Sequence, residues 1–136
     1  MPEADPDDRL PDVSESATTV FGDLWQLGKH RALCGNSLIT ADYDRLMDGA
    51  KADLVISDPP YNVVIDGNAT GFGKVHHREF GMAAGKMSSA EFTDFLRKAM
   101  IAARDHSATS SLAYYFMDWR HLTEILSAGQ EVYRSF

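Results

Sequence analysis

The chain has 136 residues, 44% of them hydrophobic, and 20 acids against 13 bases give a formal net charge of −7. That length suits one domain or a piece of one, and a lone cysteine, Cys34, excludes a disulfide scaffold and fits a cytoplasmic protein. The acidic start and the lack of any apolar run near about 18 residues predict neither a signal peptide nor a membrane span.

The acidity is unevenly spread. Residues 1–23 carry seven acids against Arg9, and the remainder is close to neutral. The acidic, proline-rich stretch 1–21 is therefore expected to be a disordered linker, and 22–136 the folded part. Within it, Leu24–Gln26 and Arg31–Cys34 read as short strands joined by a Gly28-Lys29 turn, with Cys34 a small buried hydrophobe. Asp42–Met47, with Tyr43, Leu46 and Met47 apolar, predicts a short helix. Lys51–Ser57 predicts a strand, and its continuous run Leu54-Val55-Ile56 is typical of one buried on both faces of a parallel sheet. Pro59 and Pro60 lack N–H donors and have fixed φ, so the ladder ends there and the backbone stiffens.

Residues 62–87 hold five glycines, Lys74, Arg78, Lys86, His76 and His77 against Asp66 and Glu79. So long a loop is functional or disordered, and its mild positive charge suits gripping phosphate; a polar loop without a ligand is the competing reading. Adjacent histidines diverge in extended chain and no tetrahedral ligand spacing accompanies them, so no metal site is expected. Gly81–Met87 fails as a phosphate loop: three residues separate its glycines, and Met87 stands where Ser or Thr would be needed.

Ser88 and Glu91 form a capping box, and Phe92, Phe95, Leu96, Ala99, Met100 and Ala103 recur at helical spacing, predicting a helix over 89–105 whose aromatics are core. Ser111–Met117 reads as the next buried strand. Asp118 then caps a helix from Trp119 to about Ser127 with Gly129 as its stop, and Glu131–Phe136 begins another strand. Asp118, Trp119 and Arg120 fall at another strand's carboxyl end, on the same edge as Asp58, where they either line a pocket or form a helix cap with a packed Trp. The alternation of strands and helices argues for a doubly wound α/β sheet.

The run Ser57-Asp58-Pro59-Pro60-Tyr61-Asn62 carries the chemistry. In open α/β sheets, functional groups collect at the carboxyl ends of strands. An exocyclic amine on adenine or cytosine is a poor nucleophile because its lone pair is delocalised into the ring. A carboxylate (Asp58) accepting one N–H and a rigid carbonyl (Pro59) accepting the other favour a pyramidal nitrogen with an available lone pair. Tyr61 offers an aromatic face to a base taken out of its stack. The structural alternative is a strand-terminating turn, since Pro, Asp and Asn are all turn residues.

Asp58-Pro59-Pro60-Tyr61 after a buried strand resembles the catalytic motif of S-adenosylmethionine-dependent amino-DNA methyltransferases, which methylate adenine N6 or cytosine N4. The stretch from Trp25 to Ser37, followed about twenty residues later by the motif, is similar to the opening of the bacterial subgroup whose catalytic half comes first, often after a ParB-like domain. The resemblance implies a partial Rossmann-like methyltransferase sheet, S-adenosylmethionine as cofactor, and Asp58, Pro59, Pro60 and Tyr61 as catalytic residues. It also implies DNA as partner and Asn36 and Asp58 at the cofactor, Gly35-Asn36-Ser37 standing where the family usually has Gly-Asp-Ser; Lys74, Arg78 and Lys86 of the mildly positive loop are the DNA contacts expected from its charge. Asp at the first motif position leans toward adenine N6, with cytosine N4 as the alternative. The family's Phe-x-Gly-x-Gly loop is not found; Gly71-Phe72-Gly73-Lys74 is only Gly-x-Gly in a polar loop. A truncated chain without activity of its own is therefore expected, its partner being the cofactor-binding half or a second copy. RNA or protein-glutamine methylation and a non-catalytic DNA-binding remnant are the competing functions; relatives of the former usually carry Asn in place of Asp58.

Overall fold

A computed structural model describes residues 16–64 and 82–135. Most of the predicted linker and the loop residues Gly71–Lys74, His76, His77 and Arg78 lie outside the described residues. The chain divides into two compact units, Met1–Gly35 and Asn36–Phe136.

The first unit holds an antiparallel hairpin of β1 (Leu24–Leu27) and β2 (His30–Leu33), with Leu24 opposite Leu33 and Leu27 opposite His30. Gly28 turns the chain with φ +63°, a left-handed conformation that costs glycine nothing. Beyond the strands, Cys34 N–H donates to Asp23 O at 2.9 Å and Gly22 N–H to Cys34 O at 2.7 Å. The thiol of Cys34 is exposed rather than buried, a correction to the sequence reading. Cys34 falls just past the last paired residue, and a two-stranded ribbon has no second layer of its own to cover it.

The second unit runs α1 (Thr40–Met47), β2-following strand β3 (Ala52–Ser57), α2 (Ser89–Asp105), β4 (Ser107–Tyr115), a short 3-10 turn (Trp119–His121) and α3 (Leu122–Val132). Strands β3 and β4 pair in parallel, Leu54 opposite Leu112 and Ser57 opposite Tyr115, with α2 as the crossover. The architecture is thus α/β, with one parallel and one antiparallel pair of strands among the described residues. Helix α2 starts at the predicted capping box: Ser88 Oγ accepts the Glu91 N–H at 3.3 Å, and the Glu91 carboxylate accepts the Ser88 N–H at 2.9 Å. Its apolar stripe, Phe92, Phe95, Leu96 and Met100, packs with Ile125, Ala128 and Val132 of α3, and Tyr115 and Met117 close over this core from the strand side.

Three expectations are corrected here. Residues Leu54 and Ile56 are 50% and 66% exposed, because helices cover only one face of the β3–β4 pair among the described residues; the alternating side chains Leu54, Ile56, Leu112 and Tyr114 line the uncovered face. Strand β4 begins at Ser107, four residues before the predicted start, since backbone pairing recruits a polar Ser-Ala-Thr-Ser stretch of low apolar signal. Gly129 does not stop the last helix: it is buried within α3, which continues to Val132, so no strand forms over 131–136 in the described residues. A residue without a side chain suits the close approach of α3 to α2. No helix among the described residues is long and apolar enough to cross a membrane.

Candidate active site

The carboxyl ends of β3 and β4 are brought level by their register. Phe116 N–H donates to Ser57 O at 2.9 Å, so Asp58 leaves the sheet beside Phe116, and Asp118 follows two residues later in the chain past the end of β4. Asp58 is exposed, and Tyr61 is half-buried with its hydroxyl donating to Asp58 Oδ1 at 2.5 Å. The hydrogen bond to Asp58, partial burial, and the charges of Asp58 and Asp118 all hold the Tyr61 phenol above its ordinary pKa, so it remains a protonated donor at neutral pH. Asp58 has no ion-pair partner among the described residues, which leaves Oδ2 for a ligand. Pro59 and Pro60 are half-buried and line, with Asp58, a cavity of about 480 Å³ that also reaches Ser37, Tyr43 and His106.

Asn62, to which the sequence assigns nothing beyond a turn residue, locks the corner. It is buried, takes a left-handed φ of +53°, and its amide spans the Met87 backbone: Nδ2 donates to Met87 O at 2.9 Å and Met87 N–H donates to Oδ1 at 3.2 Å. The link ties the end of the motif to the residue before the α2 cap. Asn tolerates this backbone better than other non-glycine residues, so Asn after Asp-Pro-Pro-Tyr was the available signal. Beside it, Gly85 has φ +76°, and a Cβ there would lie 2.6 Å from Val64 Cγ2. Gly85→Ala is therefore expected to cost about 2 kcal/mol, from left-handed strain plus the contact. Urea unfolding of the two proteins measures it, and equal midpoints would contradict it.

Asn36 is half-buried at the start of α1. Its Oδ1 accepts the Leu38 N–H at 3.0 Å, while its own N–H donates to Asp42 Oδ2 at 2.7 Å. The side chain therefore has a local turn-forming role, whatever it binds besides. Lys86 is exposed on the chain returning toward α2, whereas Lys74 and Arg78 lie outside the described residues. Among the described residues no group of three His, Cys, Asp or Glu side chains is arranged to hold a metal.

His106, at the junction of α2 and β4, pins α1 across the cavity. Its Nδ1 lies 2.8 Å from Ala102 O and its Nε2 2.9 Å from Asp44 Oδ1, while Tyr43 stacks on the ring at 5.2 Å. Two oxygen acceptors on one ring require both nitrogens to donate, which only the imidazolium does. The bond to Asp44, then that to Ala102, raise its pKa, against partial desolvation and the Lys51 charge. A raised folded value means the stabilisation is fully present below the unfolded histidine pKa of about 6.5 and is lost as pH rises through the higher folded value. Stability is thus expected to fall above about pH 6.5, and His106→Gln to flatten that slope. Denaturant unfolding across this range reads both, and an unchanged slope in the variant would refute the assignment.

Trp119 is 74% exposed, so the packed-Trp expectation fails. Asp118 does cap the turn, its Oδ1 accepting the Arg120 N–H at 2.9 Å. Compared with known proteins, the chain matches no family model and shows no significant similarity to any curated protein or solved structure.

Proposed function

We propose that the chain carries the catalytic corner of an S-adenosylmethionine-dependent methyltransferase acting on exocyclic amines. The particular reaction proposed is methylation of adenine N6 in DNA. The observation that carries this reading is the exposed Asp58 carboxylate at a parallel strand end, held by Tyr61 and followed by two rigid prolines. When bound, S-adenosylmethionine supplies an electrophilic methyl group. Its fit is supported by the cavity beside Asp58, whose volume of about 480 Å³ and aromatic and aliphatic walls suit a ligand of that size.

In this reading Asp58 Oδ2 accepts one N–H of the target amine and the Pro59 carbonyl the other, drawing the nitrogen lone pair out of conjugation. The Tyr61 hydroxyl fixes the carboxylate, and its ring flanks the extruded base. Tyr61 costs no reorganisation at the moment of transfer because its bond to Asp58 already exists. The near-neutral body leaves phosphate contact to local groups, of which Lys86 is the described candidate. The test is transfer of labelled methyl from S-adenosylmethionine to DNA, with and without an added cofactor-binding half, followed by nucleoside analysis. N6-methyladenine is the expected product; N4-methylcytosine would move the target, and label confined to RNA or protein, or transferred nowhere, would overturn the reading.

A further inference from the structure

We propose that Trp119 and Arg120 form a second nucleic-acid contact at the same sheet edge, the indole stacking on a base next to the target and the guanidinium holding that nucleotide's phosphate. This rests on the proposed reaction on DNA. Trp119 is 74% exposed, the highest value among the described exposed large hydrophobics. It is not loose, however: Asp118 caps the turn that carries it, and the Arg120 guanidinium lies 5.4 Å from the indole centroid. Arg120 Nη1 donates to Asp118 Oδ2 at 3.1 Å, which commits one of its N–H donors and orients the rest of the fork.

The position matters as much as the exposure. Trp119 lies four residues past Tyr115, the last residue of β4, whose partner Ser57 directly precedes Asp58, and the Asp118 charge next to it acts on the Tyr61 phenol. A base drawn out toward Tyr61 leaves its neighbour with one face unstacked. An exposed indole backed by a cation offers that neighbour a π-surface and its phosphate a positive partner, the combination by which single-stranded nucleic acid is gripped without sequence preference. A ring packed for stability would instead be covered, as Phe92 is.

The chain's two tryptophans are Trp25 and Trp119, so Trp25→Phe leaves one indole as reporter. Adding a short single-stranded DNA oligonucleotide is expected to quench that emission saturably. In fluorescence anisotropy, Trp119→Ala is expected to bind the oligonucleotide about tenfold more weakly, and Trp119→Phe to recover most of the loss. Arg120→Gln should reduce the slope of log affinity against log salt by about one. Because Trp119 is exposed, the variants keep the fold, which circular dichroism verifies. Binding that depends on Tyr61 but is unchanged in Trp119→Ala overturns this contact and spares the methylation reading. Quenching and Trp119 dependence without methyl transfer keep the contact and remove that reading. Absence of any oligonucleotide binding removes both.

Discussion

Asp58→Ala is expected to lower methyl transfer by about a thousandfold, the scale seen when one preorganised polar group is removed from a reacting centre. The folded chain should be intact. Asp58 is exposed, and among the described residues its only hydrogen-bond partner is the Tyr61 hydroxyl, which is half-buried and can turn to water. Tyr61→Phe separates two roles of that residue: it keeps the ring and loses the bond that orients the carboxylate, so a drop of about tenfold is expected, the cost of a misaimed rather than missing group. Initial rates of labelled methyl incorporation, with thermal melts beside them, measure both variants. Undiminished transfer by Asp58→Ala would end the assignment.

Asn62→Ala should have the largest effect on stability, about 2–4 kcal/mol. The side chain amide satisfies the Met87 N–H and C=O from a buried position, and its removal strands both. Alanine must also hold φ near +53° without the polar side chain that makes this region tolerable for asparagine. For a domain of this size a loss of that order lowers Tm by roughly 10–20 °C. Asn62→Gly distinguishes the two causes: it relieves the backbone and still loses both hydrogen bonds, so it should recover only part of the deficit. Because Tyr61 precedes Asn62 directly, transfer should also fall in both variants at temperatures where they remain folded. A melt of Asn62→Ala within about 2 °C of the parent would show that the clamp to Met87 is idle.

How much of this was legible beforehand depended on distance along the chain. The capping box at Ser88 and Glu91 was readable because its partners are three residues apart, and the stripe from Phe92 to Met100 because helical periodicity is local. The parallel pairing of the motif strand followed from its apolar run and the helix after it. Clamp residues Asn62 and Met87, by contrast, lie 25 residues apart, and the cross-link from Asp44 to His106 spans 62. No periodicity announces such a pair. Gly129 and Cys34 were misread for a related reason: glycine serves equally as a stop or as a close-packing position, and cysteine is buried only where a second layer exists to bury it.

Local chemistry in the chain determined that a carboxylate, two stiff prolines and a phenol would stand where a buried-type strand ends, since fixed φ and missing donors act within a few residues of themselves. Tertiary structure decided which faces of that strand are covered, that Tyr61 is bonded to Asp58, that Asn62 holds the loop base to α2, and that Trp119 is left in solvent. Those outcomes depend on which elements meet, and meeting is settled by packing between segments rather than by the preferences of any one of them.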